Sequence, residues 1–485
     1  MPVIDMSWRR NKPLFLLTLA AMVIPSLGYS GGFEVGVNGS RATARGGAFV
    51  VRSDDLTAID HNPGGLSRLK GTHLTLSHNT VNSRLTFTRA QSVVPQPQIN
   101  DPGSPNPFEP VSNQDPWFAL GGMFVAATDF GLEDFTFAIG AYGPSAAGSQ
   151  SYDVRGGSRW MLTELDAVMV YYSAAVAYGK SNWGVGMTLQ VAHQPSTRLA
   201  LVVDGTTGGA QSPYSSAADV LATIDLSAPP TFSAIIGAWW QPQALRTARG
   251  FWEFAVSARV LPVSFKSTGD VTMSNTPGGS QFSASQLEVS DSSAALDLVL
   301  PPVVRAGLRY VHLSGGRELF DIEFNAVYER WSMLDSYNLD LEGTINLFAA
   351  AEAPDVIIAK NWQDTLALRL GGTYNVTETF GVSLGGYYES AAVPVNYSHL
   401  DFPSFARVGL GIGVQGQAFG LQWSVAYAHV FQETRDVDER YAKVLQQRPI
   451  AECPEGCDGF DAVPANAGLF ETGFSTISVS LSYGF

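Results

Sequence analysis

The chain has 485 residues, 45% of them hydrophobic, only 15% charged, and a net charge of −15. That acidity excludes nucleic acid, or any anionic surface, as a partner held by bulk electrostatics. Forty-nine glycines, 27 phenylalanines and 17 tyrosines beside so few charges also sit badly with a soluble enzyme of this length.

The first thirty residues read as an export signal. Arg9, Arg10 and Lys12 form a basic patch, Leu14 to Ile24 is an apolar run too short to span a bilayer, and Gly28 and Ser30 offer small residues for cleavage after either. No second long apolar run follows, which excludes a helical membrane protein. Residues 31–70 are rich in Gly, Ala, Ser and Asp and lack sustained alternation. Ala42, Ala44, Ala48, Phe49, Val50, Leu66 and Leu69 carry enough apolar surface to favour a domain folded inside something larger over a free tail.

From residue 71 to 485 the pattern is β. Strands are expected near 72–84, 115–127, 134–144, 166–179, 182–194, 231–241, 251–266, 295–312, 317–341, 363–375, 380–390, 404–416, 420–431 and 473–485. Long and short connections alternate along this series, as in a membrane barrel with long external loops and tight periplasmic turns. Leu366, Leu368, Leu370 and Tyr374 share one face, with Arg369, Thr373 and Asn375 on the other. The last strand puts Ile477, Val479, Leu481, Tyr483 and Phe485 opposite Thr476, Ser478, Ser480 and Ser482. A greasy outside and a small, polar inside fit lipid and lumen. The fold class is therefore all-β: a 14-stranded antiparallel transmembrane barrel with its N-terminal segment as a plug in the lumen.

Two stretches stand apart. In 195–230, Ala217, Ala218, Val220, Leu221, Ile224 and Leu226 form one apolar face if Ser215–Leu226 is helical. On an external loop that face would either receive a hydrophobic ligand or pack against its neighbours. Cys453 and Cys457 are a candidate local disulfide in an oxidising compartment.

Ser53-Asp54-Asp55-Leu56-Thr57-Ala58-Ile59-Asp60-His61-Asn62-Pro63-Gly64-Gly65-Leu66 resembles the hatch of the FadL/TodX family of outer-membrane transporters for long-chain fatty acids and aromatic hydrocarbons. Asn62, Pro63, Gly65 and Leu66 match its motif, and Gly64 replaces an alanine. Pro302 to Tyr310, Phe324 to Trp331, Trp362 to Thr365 with Leu368 to Gly371, Tyr387 to Pro394 and Pro403 to Gly411 are similar to later family blocks, in order. The resemblance implies passive uptake: capture on external loops, an apolar pocket in the lumen, hatch movement, and lateral release at a kink in the third strand. Gly140, Gly143 and Pro144 are candidates for that kink, since glycine and proline interrupt pairing, though Pro144 equally suits a strand end.

Alternation places Glu253, Arg259, Arg305, Arg309, Asp321, Glu323, Glu329, Arg369 and Arg407 inward. Arg305, Arg309, Arg369 and Arg407 are candidates for receiving a carboxylate, although pairing with acids of wall and plug is the stronger expectation. The expected partners are hydrophobic small molecules and membrane lipid, with no cofactor, no metal and a monomeric barrel. A membrane-embedded hydrolase or acyltransferase would need Ser, His and acid on one face. The strand histidines His73, His78, His193, His312 and His429 show no such grouping. An adhesin or structural barrel, and a porin for polar solutes, complete the alternatives.

Overall fold

The computed structural model describes residues 37–91, 106, 108–143, 149–204, 219–277, 282–347, 350–353, 355–447 and 464–485. The export segment 1–30, Pro144, Cys453 and Cys457 lie outside the described residues.

Fourteen strands close into one antiparallel barrel. They are β1 (Thr72–Arg89), β2 (Trp117–Thr128), β3 (Phe135–Tyr142), β4 (Glu164–Lys180), β5 (Trp183–Asp204) and β6 (Asp219–Trp240). β7 runs as Gly250–Leu261 and Val263–Asn275 around Pro262, and β8 as Val289–Leu300 and Val303–Ser314 around Pro301 and Pro302. Proline has no N–H for the ladder, so pairing steps there and resumes. β9 runs as Arg317–Glu329 and Ser336–Ile345, and β10 as Val356–Ala359 and Thr365–Asn375. β11 (Phe380–Glu389), β12 (Arg407–Ala418), β13 (Leu421–Gln432) and β14 (Gly468–Gly484) complete the wall. β14 pairs with β1 from His73↔Gly484 to Arg89↔Gly468, which leaves no open edge.

The turns at one end are tight. Gly315 and Gly316 (φ 62° and 81°) and Phe419 and Gly420 (φ 55° and 77°) have the paired positive φ of two-residue hairpins. The expected faces hold: Leu366, Leu368, Leu370, Val408, Leu410, Ile412, Ile477, Val479 and Leu481 are exposed on the outside. Inside, Glu253, Arg259, Arg309, Asp321, Glu323 and Arg407 are buried. Among the described residues no helix is long and apolar enough to cross a membrane.

One expectation fails. Asp219 to Leu226, expected within a helix, belong to strand β6, paired with β5 from Asp204↔Asp219 to Thr197↔Leu226. Val220, Ala222, Ile224 and Leu226 recur every second residue, and a short apolar-rich run satisfies either period until its partner strands are known. The same correction applies to much of 267–294 and 342–362, expected as loops. There β7 and β8 pair from Val263↔Leu300 to Gly269↔Ala294, and β8 pairs with β9 up to Val289↔Ile345. The wall therefore rises beyond the membrane on the β5–β10 side.

The segment before β1 lies inside. It holds a short helix α1 (Ser40–Ala44), a helical turn α2 (Ala58–His61) and a 3-10 turn at Pro63–Arg68. Ala42, Ala44, Ala48, Phe49, Val50, Val51, Leu56, Ile59 and Leu66 are buried. Its turns pack against β3 to β6 on one side and β11 to β14 on the other.

Candidate functional site

The raised part of the wall forms an aliphatic cup. Leu201 on β5, Ile224 on β6, Met273 on β7, and Leu339, Leu341 and Ile345 on β9 point into a cavity of about 40 Å³. Leu199, Val203, Ala222, Val271, Val289, Ala353, Val356 and Ile358 finish the lining, and Gln447 is its one polar side chain. No ring and no charge lines it, so its chemistry is limited to removing hydrocarbon from water, worth about 0.8 kcal/mol per methylene.

Beneath it, the N-terminal segment is fastened at three places. Around α1, Ser40 hydrogen-bonds Ser424 (2.5 Å) and Ser480 (2.7 Å) through its hydroxyl. The α1 backbone lies directly on β11 and β12, where a Cβ at Gly385 would stand 2.1 Å from the Arg45 carbonyl oxygen and one at Gly411 2.2 Å from that of Thr43. In the middle, four successive backbone N–H groups dock on two β9 side chains. Phe49 and Val50 donate to Asn325 (3.0 and 3.2 Å), and Val51 and Arg52 donate to Glu323 (2.8 and 3.1 Å).

The third fastening is the motif Asn62-Pro63-Gly64-Gly65-Leu66. Asn62 accepts from Gly64 N (3.1 Å), which opens the 3-10 turn, and donates to Val50 O (2.9 Å) and to Ala238 O on β6 (3.2 Å). Pro63 supplies the first helical position, where no donor is needed. A Cβ at Gly64 would meet the Gly237 carbonyl oxygen at 2.8 Å, so the wall itself favours glycine there. The Trp239 indole N–H closes the contact on Gly64 O and Ser67 Oγ, both at 3.1 Å.

The inward charges are mostly paired. Arg309 reaches Glu253 (2.7 Å), Glu318 (2.9 Å) and Asp321 (2.8 Å). Asp321 also takes Arg45 and Arg52 at 2.7 Å each, and Arg68 takes Glu253 at 3.1 Å. Arg407 pairs with Glu389, and Arg305 has an interaction of its own. Arg369 has a ring contact with Tyr387 (5.6 Å). Sequence reasoning found these acids and arginines by alternation but missed Asn325 and Glu389. Both were legible by the same rule, Asn325 two residues past Glu323 and Glu389 at the inward end of β11.

On the external side, segments that expectation left as plain loops build a lid. Lys360 and His399 both contact the Asp401 carboxylate, His399 Nδ1 at 2.8 Å, and all three are buried. The Lys360 ammonium lies 4.7 Å from the Tyr337 ring centre. Burial pushes the Lys360 ammonium and the His399 imidazolium below their usual ranges, and the Asp401 carboxyl is held below the usual carboxylate range, burial opposing the two cations beside it. Trp331 donates to Glu329 (2.7 Å) and meets Trp362 edge-on at 4.9 Å.

At β3 the wall thins. Gly140 is paired on both sides, with Val125 and with Ser173, so pairing runs straight through it. Pairing with β2 stops at Phe124↔Ala141 and with β4 at Tyr142↔Tyr171, just before Gly143. Outside this stretch lies an apolar hollow of about 620 Å³, lined by Phe124, Ile139, Tyr172, Leu189 and Phe232 among others, with Gly140 in its floor. A Cβ on Gly140 would meet Val125 Cγ2 at 3.0 Å and Phe124 O at 3.1 Å in the wall, and Ile59 of the N-terminal segment at 3.5 Å. Among the strand histidines, His429 bonds Ser475 (2.8 Å) across β13 and β14, and no carboxylate hydrogen-bonds to it among the described residues.

A closed fourteen-strand barrel with lipid-facing leucines outside and an occluded lumen inside defines a bacterial outer-membrane protein of the transporter type. The chain belongs to the outer membrane protein transport family (OMPP1/FadL/TodX), whose model matches residues 22–452. Solved structures agree on the fold. A Pseudomonas aeruginosa FadL homologue superposes with a TM-score of 0.67 at 16% identity, covering 94% of this chain and 100% of that one. The P. putida toluene transporter TodX gives 0.62 at 13% identity, covering 94% and 99%. The Ralstonia pickettii toluene transporter TbuX gives 0.59 at 12% identity, covering 93% and 98%. No curated protein sequence matches the chain.

Proposed function

We propose that this protein takes up hydrophobic compounds of the long-chain fatty acid type passively across the outer membrane, with the N-terminal segment acting as a hatch. The aliphatic cup over a filled lumen carries the reading: it offers nothing to a sugar or an ion, and its lining matches a short stretch of hydrocarbon entering from outside. Ligand leaves the cup when the lid around Trp331 and Trp362 parts, and meets the N-terminal segment below. Shifting that segment opens the way to β3. There the ladder ends at Tyr142, Gly140 adds no side chain to the wall, and the outer hollow supplies an apolar path into the bilayer. On this reading ligand is released beside Gly140 and Gly143, near the end of the third strand's pairing.

The test is reconstitution into liposomes. A lipophilic fluorescent fatty acid enters faster than in protein-free vesicles, and swelling in sugar solutions stays at background. Rapid sugar swelling would identify a porin, and no acceleration of the fatty acid would end the uptake reading.

A further inference from the structure

We propose that the connection between β6 and β7, together with Arg317, binds the head groups of anionic phospholipids in the periplasmic leaflet of the outer membrane. This rests on the membrane placement of the barrel and is independent of what the lumen carries. Most connections at the tight-turn end are minimal: Ser181-Asn182, Gly315-Gly316 and Phe419-Gly420. Between β6 and β7 the chain instead spends residues 241–249, and they are ordered by their own contacts. Gln241 N donates to Asn182 O (2.7 Å), Gln243–Leu245 form a 3-10 turn, and Thr247 pairs with Gly250. Leu313 N donates to Arg249 O (2.8 Å), which ties the connection to the β8–β9 turn. Arg246, Arg249 and Arg317 thus come together from two neighbouring turns.

In a chain of net charge −15 these arginines stand out for having no acid beside them. None of them makes an ion pair or a side-chain hydrogen bond among the described residues, and Arg246 has only a ring contact with Phe251 (5.2 Å). Arg246 and Arg249 are exposed and Arg317 is half-buried. Elsewhere on this rim Lys180 is taken by Asp134, and the turns carry acids, Asp129, Glu133 and Asp134 in one and Glu378 in another. Exposed charge alone names no partner, but its level in the wall does. Trp240, 53% exposed, closes β6 against Phe254, and Trp252, 39% exposed, lies on β7 against Tyr310 (5.2 Å). Large amphipathic rings on the lipid side of a barrel mark the bilayer–water boundary. The arginines follow directly beyond that boundary, at head-group depth. Leu245, 45% exposed, precedes Arg246, so the connection also offers the apolar tip and basic flank of an interfacial segment. An acidic periplasmic protein would answer the charge and leave the rings and Leu245 unexplained. A phosphodiester answers all of them: its two free oxygens match the guanidinium fork, and its acyl chains run along the outer wall.

The experiment is native mass spectrometry of the full-length protein in a neutral detergent, offered equal amounts of phosphatidylglycerol and phosphatidylcholine with the same acyl chains. The native protein retains phosphatidylglycerol in preference by on the order of tenfold, since each basic residue held at an anionic surface is worth roughly fivefold. Combining Arg246→Gln, Arg249→Gln and Arg317→Gln brings the ratio to about one, while lysine at the same three positions keeps most of it. Lys180→Gln removes a charge that Asp134 already holds on the same rim and leaves the native ratio. Heat-modifiability on gels confirms a folded barrel for each variant. Equal retention of the two lipids by the native protein, or an undiminished ratio in the triple glutamine variant, overturns the assignment. A loss as large in Lys180→Gln also overturns it, by reducing the preference to total charge.

Discussion

Arg45 of the N-terminal segment and Asp321 of the wall meet through two parallel hydrogen bonds, Nη1 to Oδ1 at 2.9 Å and Nη2 to Oδ2 at 2.7 Å, with both side chains buried. The pair spans a sequence separation of 276 residues. Asp321 is shared with Arg52 and Arg309, so its single carboxylate sits among three guanidiniums whose remaining charge is met by Glu323, Asp54, Glu318 and Glu253. Removing one partner of a buried pair leaves uncompensated charge and costs about 3–5 kcal/mol. Asp321→Asn keeps the shape and loses the charge. The expected outcome is a barrel that still shifts on heat-modifiability gels while residues 37–68 become open to protease from the periplasmic side. A variant as resistant as the native protein would show that this pair does not hold the segment.

Gly385 holds the same segment by absence. With its Cβ position 2.1 Å from the Arg45 carbonyl oxygen, Gly385→Ala forces α1 away from β11. Overpacking of this kind costs about 1–3 kcal/mol. The segment is expected to protect less against hydrogen exchange at 40–47 and the barrel to leak small solutes. Gly122→Ala, whose nearest neighbour would be Ser77 O at 3.8 Å, serves as the matched control and stays tight.

These two contacts mark where the sequence was legible and where it was not. The fourteen strands were readable because each obeys a period of two between lipid and lumen, and Leu366, Leu368 and Leu370 repeat that signal without interruption. The charges of the lumen were readable by the same rule, down to Asp321 and Glu323. What each charge pairs with was not, because Arg45 and Asp321 are joined only by closure of the barrel. The cup was misread for a related reason. Val220, Ala222 and Ile224 lack a polar partner face in the expected place, since above the membrane the apolar side turns inward. Asn62-Pro63 was recognisable as a motif, but its hold on Ala238 required the neighbouring wall.

The cup should fail if made polar. Ile224 is 2% exposed and faces its centre. Ile224→Asn buries an amide with no partner, a penalty of about 1–3 kcal/mol, and competes with the ligand for the same space. Uptake of a fluorescent fatty acid at limiting concentration is expected to fall by on the order of tenfold. Ile357→Asn, exposed on the outer side of β10, leaves uptake as it was. Equal rates for native and Ile224→Asn would move capture away from the cup.

Acid should loosen the lid through His399. Its imidazole is buried beside Asp401 and Lys360, and burial holds its folded value below the usual one of about 6.5. Between those two values the opened loop binds a proton that the closed loop refuses, and stability rises with pH wherever the open state binds more protons. Closure is therefore complete at neutral pH and weakens as pH falls below about 6.5. Asp401, held below the carboxylate range, stays ionised through this window, and its own contribution is lost only in stronger acid. Hydrogen exchange across 398–405 is expected to speed up between pH 7.5 and 5.5 after correction for intrinsic rates. His399→Gln cannot take up that proton and should flatten the dependence; an unchanged slope in the variant would assign the acid response to another group.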